Sequence, residues 1–258
     1  MARSVFITGA GSGIGRAAAR RFSRGGWLVG AFDIDPEGLA ETCRELPSER
    51  TVQGPLDVTD PEAWRRALET FSQVTGGRLD VLLNNAGVLH FGPFESLDRA
   101  RAARMIDINA RGVVEGIYAA LPLLEKTPGA AVLNMASGSA LYGPPDMAVY
   151  AATKFFVRGL TEALDLELAP KGIRVCAIFP GFVATPMVAQ QTFTPGSMKT
   201  LGVHLQAEHV ASLLWRVAHA RRRASPHWYL PAYQGVLARA AGAFPGLSRW
   251  LMKRIARR

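Results

Sequence analysis

Two hydrophobic periods alternate along this chain, and that alternation most restricts what it can fold into. Five short runs, Val5 to Thr8, Trp27 to Phe32, Leu79 to Leu83, Ala131 to Met135 and Ile173 to Phe179, are nearly continuously apolar. A strand with one wet face would instead alternate apolar and polar residues, so these runs read as strands buried on both faces. Between them, Gly13 to Arg24, Pro36 to Leu46, Pro61 to Thr75, Ala100 to Leu124 and Val149 to Ala169 carry apolar residues at helical spacing. Parallel strands need crossovers, and right-handed crossovers put helices on both sides of the sheet. The pattern predicts an α/β fold: one doubly wound domain with a mainly parallel sheet flanked by helices, spanning residues 1–231. A helix over 207–222 and an edge strand at His227 to Leu230 complete it, and residues 232–258 read as a C-terminal helical extension.

A length of 258 residues suits one large α/β domain, and 48% apolar with 20% charged residues excludes disordered and collagen-like classes. Cys43 and Cys176 are far apart with no CxxC or Cys/His cluster, which predicts no metal site, no disulfide framework and a reduced, cytoplasmic setting. Neither a signal-peptide pattern nor a run of 18 apolar residues is present. The charge is uneven: residues 1–208 hold 20 basic and 21 acidic side chains, and residues 209–258 hold 10 basic and none acidic.

The first strand runs into Thr8-Gly9-Ala10-Gly11-Ser12-Gly13-Ile14-Gly15 and then a helix. Glycines at such a turn let backbone N–H groups and a helix N-terminus approach a pyrophosphate. Asp33 ends the second strand, 20 residues after Gly13, where a carboxylate can accept from adenosine ribose hydroxyls and repel a 2′-phosphate. These residues predict a dinucleotide site that favours NAD over NADP, with Arg16 as the cation that keeps NADP open.

Tyr150 and Lys154 are four apart and share a helix face. Bringing a phenol from a pKa of about 10 toward 7 needs about 4 kcal/mol. A unit charge at about 4 Å in an effective dielectric near 20 supplies roughly that amount before desolvation. Lys154 is therefore expected to lower the pKa of Tyr150, so that Tyr150 exchanges a proton with an alcohol or carbonyl oxygen. Ser137 is placed to bond the same oxygen.

On these motifs the chain resembles the short-chain dehydrogenase/reductase family over roughly residues 3–215. The likeness rests on TGxxxGxG at Thr8 to Gly15, Asp57-Val58 after the third strand, and Asn84-Asn85-Ala86-Gly87. It continues with Asn109, with Ser137 placed 13 residues before Tyr150, with Tyr150-Ala151-Ala152-Thr153-Lys154, and with Pro180-Gly181 followed by Thr185. The resemblance implies a Rossmann-type fold with a seven-stranded sheet and hydride transfer between a nicotinamide and a hydroxyl or carbonyl group. It implies a catalytic set of Asn109, Ser137, Tyr150 and Lys154, Lys154 also gripping the nicotinamide ribose and Asn109 helping to order a water chain. Cofactor contacts are implied at Gly9, Ser12, Gly13, Ile14, Gly15, Asp33, Asp57, Val58, Asn85, Ala86, Gly87, Tyr150, Lys154, Pro180, Gly181, Val183 and Thr185. A homodimer or homotetramer through the long helices is implied as well. An NADP-dependent carbonyl reductase and a non-catalytic dinucleotide-binding or membrane-associated protein of the same fold are the alternatives.

The loop at about 182–206 has no acidic residue and many apolar ones, which in this family points to a hydrophobic alcohol or ketone. Ser137, Leu141, Met147 and Phe182 are the expected substrate contacts, with Tyr142 and His90 further candidates. In the extension, Tyr233, Val236, Leu237, Ala240, Ala241 and Phe244 form one apolar stripe. Leu247, Trp250, Leu251 and Ile255 form another, opposed by Arg249, Lys253 and Arg257. A helix of this kind covers the pocket, packs on a second subunit, or makes peripheral contact with a membrane. Nucleic-acid binding has no motif to support it.

Overall fold

The computed structural model describes residues 2–220, 225–243 and 245–256. Strands and helices alternate as β1 (Ser4–Thr8), α1 (Gly13–Arg24), β2 (Leu28–Asp33), α2 (Pro36–Arg44), β3 (Thr51–Pro55), α3 (Pro61–Thr75) and β4 (Val81–Asn84). They continue as α4 (Arg99–Ile106), α5 (Gly112–Glu125), β5 (Ala131–Met135), α6 (Ala148–Leu168) and β6 (Arg174–Pro180). A loop follows with β7 (Val183–Ala184), α7 (Pro186–Ala189), α8 (Gly196–Leu201) and β8 (Leu205–Gln206). The chain closes with α9 (Ala207–Ala218), β9 (His227–Leu230), α10 (Gln234–Ala243) and α11 (Pro245–Ala256). Seven strands pair in the order β3-β2-β1-β4-β5-β6-β9, every neighbour parallel. This is the doubly wound, Rossmann-type sheet expected from the apolar runs, and the winding reverses between β1 and β4.

Both faces of each central strand are buried because alternate residues serve different helix layers. Phe6, Leu82 and Val132 pack with Trp64, Phe71 and Ile117, beneath α3 and α5. Val5, Ile7, Val81 and Leu83 pack with Phe22, Val210 and Leu214, beneath α1 and α9. Helices α2 and α3 open on the same triplet, Asp-Pro-Glu: the Asp35 carboxylate accepts from the Glu37 N–H at 3.1 Å and that of Asp60 from the Glu62 N–H at 2.9 Å. The proline fixes the first helical turn, where its missing N–H costs nothing.

Most boundaries shift by one or two residues, β3 lies outside the five apolar runs, and two helices differ by more. The single helix Ala100 to Leu124 is α4 and α5 joined by a π-helical turn at Asp107–Arg111. Asn109, at its centre, is fully buried; its Oδ1 accepts from the Val88 N–H and its Nδ2 donates to the Val88 carbonyl, both at 2.8 Å. A hydrogen-bonded side chain that reshapes one turn leaves no trace in hydrophobic spacing. The helix expected over 207–222 ends at Ala218, and residues 221–224 lie outside the described residues.

An aromatic cluster ties α3 to the sheet. Phe6 stacks on Phe32 at 4.3 Å between centroids and meets the edge of Phe71 at 5.4 Å, while Trp64 Nε1 donates to the Val58 carbonyl at 3.0 Å. Phe71 is wholly buried. Phe71→Ala is therefore expected to cost about 3–5 kcal/mol in urea unfolding; a loss below about 1 kcal/mol would show that α3 is not part of the cooperative core.

Candidate active site

The carboxyl ends of β1, β4, β5 and β6 open on a cavity of about 980 Å³, in the crevice where open parallel sheets place their ligands. Its floor is the glycine turn. Gly9 and Gly13 have φ of 68° and 48°, the left-handed region, and a Cβ on Gly9 would lie 2.9 Å from the Ala86 Cα. Thr8 Oγ1 accepts from the Asn85 and Ala86 N–H groups, both at 3.0 Å, and Asn85 Nδ2 returns a bond to the Thr8 carbonyl at 2.9 Å. Unlike α2 and α3, α1 has no side-chain cap and no acidic residue in its first turn. Its first N–H groups and its dipole are thus left for an external anion, which fits the pyrophosphate of a dinucleotide.

Gly9, Ser12, Gly13, Ile14, Asn85, Ala86 and Gly87 all line the cavity. Gly15 does not: a Cβ there would meet the Gly9 carbonyl oxygen at 1.9 Å, so this glycine seats α1 against the turn. Asp33, Asp57 and Val58 line the far end. Asp33 Oδ2 accepts from the Gly11 N–H at 2.7 Å and Oδ1 from the Asp35 N–H at 2.9 Å, and Asp57 Oδ1 accepts from Thr59 Oγ1 at 2.7 Å. Arg16, the candidate cation for a 2′-phosphate, is engaged beneath the turn. Its guanidinium donates to Gly11 and Gly38 carbonyls and to Thr42 Oγ1, and it pairs with Glu41 at 2.7 Å. It is not among the residues that line the cavity.

Ser137, at the end of β5, and Tyr150 and Lys154, on the first turns of α6, meet at the cavity wall. Burial pushes the Tyr150 phenol up, against a smaller opposing pull from its hydrogen bond with Ser137. Burial lowers Lys154 to about 8. The ammonium donates to the Met135 carbonyl at 2.8 Å and lies 5.6 Å from the Tyr150 ring centroid. The expected lowering of Tyr150 by Lys154 is thus reversed in this structure. The expectation weighed the Lys154 charge before desolvation, and in the fold desolvation prevails. Asn109 does not line the cavity; it clamps Val88, which does.

Leu141, Tyr142, Met147 and Phe182 line the cavity, as do Pro180, Gly181, Val183 and Thr185, while His90 does not. Phe91 and Phe182 meet edge to face at 6.3 Å. Leu237 of α10 and Ile255 of α11, from the two expected stripes, line the cavity as the pocket-covering alternative anticipates, whereas Phe91, Gln234, Ser248 and Met252 line it without having been singled out in the sequence. The expected stripe of α11 is also redistributed. Trp250 stands about 140° around the helix from Ile255 and is 52% exposed, while Met252 takes the inward place. Tyr233, just before α10, and Val236 and Leu237 on it are exposed. Phe244 and Arg257 lie outside the described residues, as do the side chains of Ala240, Ala241, Leu247 and Leu251. Among the described residues, no group of three or more His, Cys, Asp or Glu side chains is placed to hold a metal, and no helix is long and apolar enough to cross a membrane.

Residues 3–195 match the family model of the short chain dehydrogenases. A 3-alpha-(or 20-beta)-hydroxysteroid dehydrogenase from Mycobacterium bovis is 39% identical over 184 residues, covering 71% of this chain and 70% of that protein. Among solved structures, a 3-ketoacyl-(acyl-carrier-protein) reductase from Brucella melitensis complexed with NADH superposes with a TM-score of 0.80 at 28% identity, covering 88% of this chain and 96% of the other. An alcohol dehydrogenase from the archaeon Thermococcus sibiricus, complexed with 5-hydroxy-NADP, gives 0.78 at 25% identity, covering 89% and 96%.

Lys154 makes a prediction that needs no substrate. Its folded pKa of about 8 lies below the ordinary 10.5, so between these values the unfolded chain binds the extra proton and stability rises with pH. The destabilisation, about 3 kcal/mol, is complete below pH 8 and relieved toward pH 10.5. In urea titrations wild type should gain about that much relative to Lys154→Met between pH 7 and pH 10.5; parallel pH curves would show that the ammonium carries no burial penalty.

Proposed function

The chain belongs to the short-chain dehydrogenase family of oxidoreductases acting on CH–OH groups, and from that premise we propose that it is an NAD-dependent dehydrogenase or carbonyl reductase of a hydrophobic secondary alcohol or its ketone. One observation carries the reading: the hydrogen-bonded hydroxyls of Ser137 and Tyr150, with Lys154 one helical turn on, at the wall of a cavity whose floor is the glycine turn. The nicotinamide supplies or accepts the hydride when bound.

Tyr150 is the proton donor and acceptor. Burial keeps its phenol protonated at neutral pH, the form that donates to a carbonyl oxygen as that oxygen gains charge. Ser137 donates a second hydrogen bond to the same oxygen. The Lys154 ammonium stabilises the phenolate left behind, and two of its protons remain for ribose hydroxyls after the bond to Met135. Asn109 is a positioning residue: it sets Val88 against the reacting centre through two short hydrogen bonds. Gly9, Ser12, Gly13, Ile14, Asn85, Ala86 and Gly87 hold the pyrophosphate and adjoining ribose, Asp57 and Val58 flank the adenine, and Pro180, Gly181, Val183 and Thr185 hold the carboxamide end.

The NAD preference is supported by Asp33 at the cavity and by Arg16 being engaged in five protein contacts away from the cavity lining. A hydrophobic substrate is supported by Leu141, Met147, Phe91 and Phe182 around the reacting end, and by the hydroxysteroid dehydrogenase among the relatives. A homodimer or homotetramer belongs to the same reading, because Tyr118 on α5 and Phe156 and Leu166 on α6 are exposed.

Tyr150→Phe should lower turnover of secondary alcohols by at least about 100-fold while NADH binding, read by fluorescence, stays within a few-fold; retention of most activity would sink the assignment. Asp33→Asn, which keeps an acceptor for the Gly11 N–H, should weaken NAD by roughly tenfold and tighten NADP. Wild-type protein that binds NADP more tightly than NAD would defeat the preference.

A further inference from the structure

Residues 209–258 hold ten cations and no acid, and three of the ten, Arg249, Lys253 and Arg254, lie on α11. Helices α10 and α11 pack on one another and α11 packs on α8, where Thr200 Oγ1 donates to the Ile255 carbonyl at 3.0 Å. On α11, Ser248, Met252 and Ile255 face the cavity at positions i, i+4 and i+7. Arg249, Trp250, Lys253 and Arg254 are exposed. The Arg254 guanidinium lies 4.8 Å over the Trp250 ring. Val236 of α10 is 66% exposed.

Several cations elsewhere on the surface are neutralised by ion pairs. Arg65 pairs with Glu62 and Glu69, Arg158 with Glu162, and Lys171 with Glu125. Among the described residues, no carboxylate lies within ion-pairing distance of Arg249, Lys253 or Arg254, and the sequence offers none beyond Glu208.

We propose that the outer face of α10 and α11 docks on an anionic lipid bilayer, with Trp250 and Val236 entering the headgroup boundary and Arg249, Lys253 and Arg254 meeting the lipid charges. Trp sits well at that boundary because its ring is apolar and its N–H wet, and interfacial helices combine such residues with Lys and Arg. A second copy would bring a basic face against itself, which like charges oppose. A nucleic acid would meet the cations but gain nothing from burying Val236 beside them. Because the inner side of α11 lines the cavity, docking would also bring the pocket close to lipid; that consequence rests on the proposed function, whereas the docking does not.

The test is co-sedimentation of the full chain with vesicles of phosphatidylcholine, alone or with phosphatidylserine added. Binding is expected only with phosphatidylserine and should weaken with salt. Arg249→Gln/Lys253→Gln/Arg254→Gln should lower the partition coefficient roughly 100-fold, and Trp250→Ala/Val236→Ser should lower it about tenfold, while both variants keep wild-type circular dichroism and cofactor affinity. No binding by wild type, equal binding to phosphatidylcholine alone, or partitioning unmoved by either variant overturns the proposal. So does self-association abolished by these substitutions without any lipid effect, or a DNA duplex bound more tightly than the vesicles.

Discussion

Thr8 Oγ1 accepts two backbone hydrogen bonds, from the Asn85 and Ala86 N–H groups, and donates a longer one to the Leu83 carbonyl. That uses the full capacity of one hydroxyl, and Thr8 is buried. The clip joins the ends of β1 and β4, the two strands between which the winding reverses. With Asn85 Nδ2 bonded to the Thr8 and Gly9 carbonyls, it fixes the glycine turn relative to the segment that continues to Val88. Everything placed on the cavity wall follows from that join: Val88 is clamped by Asn109, and Asn109 Nδ2 reaches Thr153 Oγ1 on α6 at 3.3 Å, between Tyr150 and Lys154 in sequence. These hydrogen bonds link the glycine turn, through the segment from Asn85 to Val88, to the helix that carries Tyr150 and Lys154.

The same burial that orders these groups sets their chemistry. Desolvation lowers Lys154 and raises Tyr150, so each group is driven toward its neutral form. A neutral phenol is a donor, and a lysine near pH 8 is still largely charged at neutrality. In the proposed reaction that is the protonation state from which Tyr150 donates to a carbonyl oxygen. Spacing along a helix says that Tyr150 and Lys154 are neighbours; it does not say which way their pKa values move, because burial comes from β5 and the turn around them.

Fold and site were legible in unequal measure. Two-faced strands and their crossovers were readable because burial on both sides removes polar residues from the run, and Asp-Pro-Glu marked two helix starts through local bonds. The cavity-lining glycines, Asp33, Ser137, Tyr150 and Lys154 were readable because their chemistry demands particular residue types at fixed spacing. What escaped was tertiary. The π-helical turn carries Asn109, whose partner Val88 lies 21 positions away, and Arg16 is occupied by the Gly11 carbonyl and by Gly38, Glu41 and Thr42 of α2. Gly15 could not be separated from its neighbours as a packing residue until the Gly9 carbonyl was seen against it.

The extension is the sharpest case, because its amphipathicity was visible and its orientation was not. Counting apolar positions grouped Trp250 with Ile255, yet at 100° per residue they stand far apart, and Met252 with Ile255 defines the inward side. Once that side is occupied by the cavity, Trp250 cannot be core, and its exposure beside Arg249, Lys253 and Arg254 is a property of the fold. An exposed Trp under an arginine costs little by itself. Arg249, Lys253 and Arg254 thus form a basic face on the side of α11 opposite the cavity, in a stretch of fifty residues that holds no acid to neutralise it, and away from Ser137, Tyr150 and Lys154.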